Sequence, residues 1–265
     1  MRIAVVGLGL IGGSIALAAR QRVGATLSGY DASPQALKAA IERLALDRAC
    51  ERLGDAVADA EAVFVAVPVG ELEDAVSEAL RLAPAECVIS DVGSTKRSIV
   101  AALNDPRFVG GHPLAGAETS GIEHARGDLF AGATWYLTPT ASTSGILYER
   151  LYRLLRAVGA RPAAIDAQTH DAILATVSHL PHVLANVLVG QAAAELEAGD
   201  ERLPATGPSF RDATRVAGAS SAIWTDIYLA NRDALAGAIG ETVQRLEGVR
   251  EALLAADLGR ITAWN

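Results

Sequence analysis

Behind Arg2 the chain opens with the apolar run IAVV. Gly7-Leu8-Gly9-Leu10-Ile11-Gly12 follows at once and leads into IGGSIALAARQ, a stretch with helical composition. A strand that turns directly into a helix through glycines spaced GxGxxG leaves few folds open. Gly7 makes the tight turn, Gly9 lets an anionic group approach the backbone, and Gly12 lets helix and strand pack closely. Leu10 and Ile11 lie in the first helical turn, where free N–H groups and the helix dipole favour a pyrophosphate. Glycine triplets arise by chance in apolar chains, so the context carries the reading. The next strand, ATLSGYD, ends on Asp31, 24 positions after Gly7. That is about where a carboxylate for the adenosine ribose is expected. A carboxylate there bonds a 2′-hydroxyl and repels a 2′-phosphate, which favours NAD over NADP.

The same alternation continues. SPQALKAAIERL starts with Ser33 as N-cap and Pro34 at the first helical position. EAVFVAVP and ECVISDV are further strands, each followed by a helical stretch. RFVGG, TWYLTP and ARPAAID read as three more. Near-continuous apolar strands alternating with helices predict an α/β fold with a parallel sheet covered on both faces, a Rossmann-type doubly wound domain. The pattern changes after Ile165. From Asp166 onward no stretch reads as a strand, and long Ala-, Leu- and Val-rich helical segments follow, the first interrupted at Pro181. The expected organisation is a dinucleotide-binding domain over 1–165 and an all-helical domain over 166–265. Helices apolar on more than one face need a partner helix or subunit.

Composition narrows the partners. The chain has 265 residues, is 51% hydrophobic and carries a formal net charge of −8. An acidic surface argues against nucleic acid or an anionic membrane, while a local basic pocket for a small anion remains compatible. Cys50 and Cys87 lie in apolar settings far apart, as buried hydrophobes rather than a disulfide or metal ligands. The N-terminal apolar run fits a strand and turn better than a signal peptide. The apolar runs are broken by Gly, Pro or charge, so no membrane span is expected. The expected setting is the cytoplasm.

The candidates for chemistry follow the strand ends, where such sheets bind ligands. Val67 and Pro68 end one strand and Ser94 lies just after another. Ser94 is either a helix N-cap or a ligand contact. Lys96 falls in the first turn of the helix TKRSIVAAL, a poor place for a cation, which hints at an anionic neighbour. His112 stands on a loop between a glycine pair and Pro113, which fix its backbone and hence its ring. His170, His179 and His182 are close in sequence, but Pro181 disturbs the helix and no carboxylate partner is evident, so no metal site is assigned. Arg211 and Arg215 share a helical face as an exposed pair or as a clamp for a carboxylate. Trp224 reads as packing. A hydroxyacid dehydrogenase with a lysine acid/base on its helical side is disfavoured, because Lys38 and Lys96 are the only lysines.

GLGLIGGS, DVGSTK, GGHPLAGAETSG, SHLPH and FRDATRVAGASSAIW, in this order, resemble the prephenate/arogenate dehydrogenase family of tyrosine biosynthesis. The likeness covers nearly the whole chain, and GGHPLAG with a downstream SHLPH is its specific part. The resemblance implies an NAD-linked oxidative decarboxylation that aromatises a cyclohexadiene ring. It implies His112 as base at the ring hydroxyl and Ser94 beside the same hydroxyl and the nicotinamide. It further implies Arg215 on a substrate carboxylate, His182 lining the pocket, and Glu118 and Trp224 near its mouth. It also implies a homodimer through the helical domain; with the sequence ending at Asn265, neither a regulatory ACT domain nor a fused mutase domain is expected. Prephenate and arogenate stay unseparated at this point. Two rivals also stay open: a reductase of pyrroline-carboxylate type, and a nucleotide-bound sensor without turnover.

Overall fold

The computed structural model describes residues 1–116, 119–197 and 206–264. Its first half is built as β1 (Arg2–Val6), α1 (Leu10–Val23), β2 (Thr26–Tyr30), α2 (Pro34–Glu42), β3 (Arg48–Cys50), α3 (Leu53–Val57), β4 (Ala62–Val65), α4 (Leu72–Leu82) and β5 (Val88–Asp91). These strands form one parallel sheet in the order β3-β2-β1-β4-β5. Alternate residues of one strand serve opposite faces. Ile3 and Val5 pack with Ile15 and Ala16 of α1 in one core, while Ala4 and Val6 pack with Leu72 and Val76 of α4 in another. This is why these strands read as continuous apolar runs rather than as alternating ones. Ser33 caps α2 as expected, its Oγ accepting the Ala36 N–H at 3.3 Å. The three-residue β3, missed in the sequence, is too short and too exposed at Arg48 and Ala49 to show a pattern.

The later strands do not extend this sheet. After α5 (Arg97–Ala102), residues 107–109 still run parallel to β5, with Ile89 N–H donating to the Arg107 carbonyl and Val109 N–H to the Ile89 carbonyl, both at 2.9 Å. The chain then leaves that sheet. β6 (Gly110–Pro113), β7 (Thr134–Thr138) and β8 (Arg161–Ala164) make a second sheet in that order. β6 and β7 are antiparallel, and among the described residues of the link between them the helical structure is a short turn at Ile122–His124 rather than a crossover helix. β7 and β8 are parallel, joined through α6 (Gly145–Ala157). Trp135 of β7 lies against Phe64 of β4 and Phe130, with ring centroids 6.1 and 5.0 Å apart, and so ties the two sheets into one core.

The remaining elements are helices: α7 (Ala167–Leu174), α8 (Leu180–Glu197), α9 (Pro208–Thr214), α10 (Ser221–Ala230), α11 (Arg232–Leu254) and α12 (Leu258–Trp264). Among the described residues no strand occurs after β8. The expected interruption at Pro181 is absent, and helical structure continues from Ala167 to Glu195. Ala175–His179 instead form a π-helical turn just before the proline. Proline has no N–H to donate and its ring crowds the carbonyl four residues back. A widened turn relieves both problems without ending the helix. The continuous helix has a mean hydropathy of 1.6 over its best window, long and apolar enough to cross a bilayer, which corrects the expectation drawn from the broken runs. Length and composition are its only membrane-like properties, and core helices share both.

Two compact units result. The first comprises Met1–Asp171 and Ala219–Ala230, and the second Ala172–Gly218 and Asn231–Asn265. Residues 166–171 and the whole of α10 thus belong with the sheets.

Candidate active site

The C-terminal edge of the parallel sheet collects the glycine turn, Asp31, Val67 and the start of the Ser94 turn. Gly7 has φ +88, and a Cβ there would run into the Ala66 carbonyl oxygen. A Cβ on Gly12 would run into the Gly7 carbonyl oxygen, so both glycines are required by the protein itself. Gly9 is different. Its φ of −74 suits any residue, and a Cβ there would meet nothing within 4 Å. It is also the N-cap of α1, with no side chain capping the helix and no acidic residue in the first turn, where Leu10 and Ile11 lie. Neither packing nor backbone geometry demands glycine at that position. An anion seated on uncapped helical N–H groups would demand it. The Asp31 carboxylate stands at the rim of this cradle, accepting the Leu8 N–H at 2.6 Å through Oδ2 and the Ser33 N–H at 2.8 Å through Oδ1. Each oxygen keeps a lone pair for a diol. The donor set therefore fits a dinucleotide. Val67, half-buried, and Pro68, exposed, follow β4, with Val67 beside the Gly7 turn.

His112 lies within β6 rather than on a loop, 8% exposed and opposite Tyr136 of β7. The preceding Gly111 lets its strand press against the end of β5. A Cβ on Gly111 would come to 2.6 Å from Ser90 Oγ and 2.7 Å from the Asp91 carbonyl oxygen. Gly111 N–H also donates to Asp91 Oδ1 at 3.0 Å. Glycine serves here as a means of close approach, and it brings the imidazole to the edge that holds the nucleotide turn.

The imidazole has a partner that the sequence did not reveal. His112 Nδ1 lies 2.9 Å from His170 Nε2, and His170 Nδ1 lies 2.7 Å from Asp171 Oδ1. Asp171 also accepts two backbone N–H groups at the start of α5, from Lys96 at 2.8 Å and from Arg97 at 2.9 Å. Burial pushes the Asp171 carboxyl up, but the His170 bond and these two amides outweigh it and hold it below its ordinary value. Asp171 therefore performs the capping that the sequence offered to Ser94. Ser94 lies half-buried in the turn before the helix, and the N-cap position belongs to Lys96. Lys96 does have an anionic neighbour: its Nζ pairs with Asp91 Oδ2, both side chains fully buried.

His179 is buried beside Asn231, whose Nδ2 stands 3.2 Å from its Nδ1. His182 is buried on α8, with Asn186 Nδ2 at 3.3 Å from its Nδ1. Desolvation pushes the His182 pKa down, a backbone bond at Val216 acting the other way. It is a neutral hydrogen-bonding group at neutral pH. Arg215 is exposed and opens a short 3₁₀ turn after α9, which ends at Thr214 rather than running through to Ala217. Trp224 lies half-buried on α10 with its ring 5.7 Å from that of Tyr228. Glu118 lies outside the described residues. Cys50 and Cys87 are free and buried, and burial pushes the Cys87 thiol up to about 12, so it is inert as a nucleophile.

A family model described as the nucleotide-binding domain of prephenate dehydrogenase matches residues 15–164, and one described as its dimerization domain matches residues 166–264. The chain belongs to the prephenate dehydrogenase family. Within it, the prephenate dehydrogenase of Bacillus subtilis is 35% identical over 260 residues, covering 94% of this chain and 69% of that protein. Among solved structures, the prephenate dehydrogenase of Aquifex aeolicus in complex with hydroxyphenyl propionate and NAD⁺ matches with a TM-score of 0.90. It is 27% identical, with 100% of this chain and 94% of that one covered. The arogenate dehydrogenase of Synechocystis matches with a TM-score of 0.83 at 27% identity, covering 100% and 96%.

Proposed function

We propose that the protein catalyses the NAD-dependent oxidative decarboxylation of prephenate, to 4-hydroxyphenylpyruvate, or of arogenate, to tyrosine. The observation that carries this reading is the shared sheet edge. The Gly9 cradle with Asp31 at its rim, and the His112 strand bonded to the end of β5, face the same side of the parallel sheet. The named relatives include both a prephenate and an arogenate dehydrogenase, and one is a complex with NAD⁺.

Bound dinucleotide supplies the hydride acceptor. Gly7, Gly9, Leu10, Ile11 and Gly12 would form the turn and helix start that hold its pyrophosphate, Asp31 would take the adenosine ribose, and Val67 and Pro68 would wall the cleft. Asp31 also disfavours NADP. His112 accepts the proton of the ring hydroxyl as carbonyl character develops at that carbon, and Ser94 orients the same hydroxyl. The carbon–carboxylate bond then breaks, carbon dioxide leaves, its electron pair enters the ring, and the oxygen is reprotonated as a phenol. Aromatisation drives the step, so the protein contributes chiefly position and one proton acceptor. Arg215 binds a substrate carboxylate with its planar fork. Neutral His182, Glu118 and Trp224 complete the proposed substrate-binding set, on the resemblance of their motifs.

A division of the sequence at 1–165 and 166–265, with residues 166–171 and α10 counted spatially with the sheets, a homodimer through the helical domain and a cytoplasmic setting complete the reading. Val187, Leu188 and Val189 on α8 and Val243 and Leu246 on α11 are exposed apolar side chains of the kind a second copy would cover. Two free, buried cysteines suit a reducing compartment.

The test is initial rates with prephenate and with arogenate, each against NAD and NADP. Reduction of NAD with at least one of them, faster than reduction of NADP, is expected. No reduction with either substrate would leave a nucleotide-binding sensor instead.

A further inference from the structure

We propose that His170 and Asp171 are positioning residues that decide which nitrogen of His112 is the base. The inference rests on the reading of His112 given above and deepens it. The geometry is a line of three buried groups ending on backbone amides. Asp171 is 1% exposed, His170 0% and His112 8%.

The protons can be placed one bond at a time. Asp171 Oδ1 accepts from Lys96 N–H and Oδ2 from Arg97 N–H, at 2.8 and 2.9 Å. A carboxylate receiving two amides is ionised and can only accept. His170 Nδ1, at 2.7 Å from Oδ1, must therefore carry a proton and donate it. In the neutral ring, His170 Nε2 is then a lone pair. His112 Nδ1 lies 2.9 Å from that lone pair and must be the donor. A neutral His112 with its proton on Nδ1 has only Nε2 left to accept a proton. One carboxylate thus fixes the tautomers of two imidazoles in series.

The rings are also held mechanically. Tyr136, opposite His112 in the sheet register, meets the His170 ring edge to face at 90° with centroids 5.7 Å apart. His112 and His170 meet at 69° with centroids 5.1 Å apart. The Lys96 ammonium, on the residue whose N–H Asp171 accepts, is itself engaged by Asp91. When His112 takes the hydroxyl proton, its Nδ1–H already points along a path that ends on a buried negative charge. That arrangement stabilises the imidazolium as it forms.

Two variants separate this role from packing. His170→Phe keeps a ring of similar volume but removes the acceptor. His170→Gln loses the ring but places an amide oxygen near the former Nε2. The readout is the tautomer of His112, from long-range proton–nitrogen correlation spectra of protein labelled in histidine with the heavy nitrogen isotope. A His112→Asn sample assigns the signals. We expect Nδ1–H in the wild type and in His170→Gln, and Nε2–H in His170→Phe. We also expect kcat to fall about tenfold or more in His170→Phe, with the Kd for NAD unchanged and kcat partly restored in His170→Gln. A purely structural role would favour the phenylalanine. Nε2–H in the wild type, or an unchanged tautomer and kcat in His170→Phe, would overturn the inference. The tautomer is read without substrate, so such a failure leaves His112 standing as the base. Wild-type kcat in His112→Asn would overturn the base reading itself, and the positioning role with it.

Discussion

Gly9→Ala should make the protein more stable and a poorer enzyme. Gly9 has φ −74 and ψ −158, a conformation open to alanine, and a Cβ there meets no protein atom within 4 Å. Alanine therefore costs nothing in the folded state and restricts the unfolded chain, which is worth about 0.4–1 kcal/mol. For a chain of this size that raises Tm by about 1–4 °C. The new methyl group projects where the pyrophosphate would approach the α1 amides. Moving the phosphates outward weakens one or two charge-assisted hydrogen bonds of about 1.5–3 kcal/mol each. Loss of most of one such bond raises Kd for NAD by roughly 10–100-fold. Calorimetric titration with NAD and a thermal melt of the nucleotide-free protein read both effects. An unchanged Kd would show that the pyrophosphate does not pass over Gly9. A lowered Tm would show that the space above it is not open. Gly12→Ala is the contrasting control, since its Cβ collides with the Gly7 carbonyl, and it should lose stability and binding together.

Three further expectations concern the chemistry and its supports. Gly111→Ala places a methyl group 2.6–3.0 Å from Ser90 Oγ, the Asp91 carbonyl and Trp135 Nε1. It should cost about 1–3 kcal/mol of stability, and by displacing His112 it should lower kcat by up to about 100-fold; chemical denaturation and steady-state rates check both. Arg215→Ala should raise KM for the cyclohexadiene substrate while kcat changes less, and an unchanged KM would remove the clamp. His182 has a folded-state pKa below its ordinary value of about 6.5, so the unfolded chain binds its proton first. Stability should be full above about pH 6.5 and decline as pH falls from there toward the folded pKa. Melts of His182→Asn should be flatter across that window than those of the wild type.

The sequence was legible wherever a local rule decided the outcome. Ser33 and Pro34 start a helix by contacts within a few residues, and Gly7 and Gly12 are required by clashes within one strand–turn–helix unit. Legibility failed where the decisive partner was distant. Asp171 caps α5 from 75 residues away, so Ser94 looked like the cap, although the odd placement of Lys96 did hint at an anionic neighbour. Residues 107–113 pair first with β5 and then with β7. Periodicity shows that a strand exists and cannot show which sheet receives it. His112 looked like a loop residue because glycines and proline usually mark loops, whereas here they let one strand approach another. The pairing of His112 with His170 was hidden because 58 residues separate them. An adjacent His-Asp pair carries no signal of its own.

The π-helical turn before Pro181 has a consequence for aligning this chain with others. A π turn holds one residue more than the α turn it replaces. Deleting a single residue within Ala175–His179 would restore ordinary helical bonding and rotate everything downstream by about 100°. His182 and Asn186 would then leave the side of the helix they now occupy. A one-residue gap at this point between two relatives is therefore a change of facing, and an alignment that slides it a few positions along the helix assigns the wrong side chains to the face that carries His182.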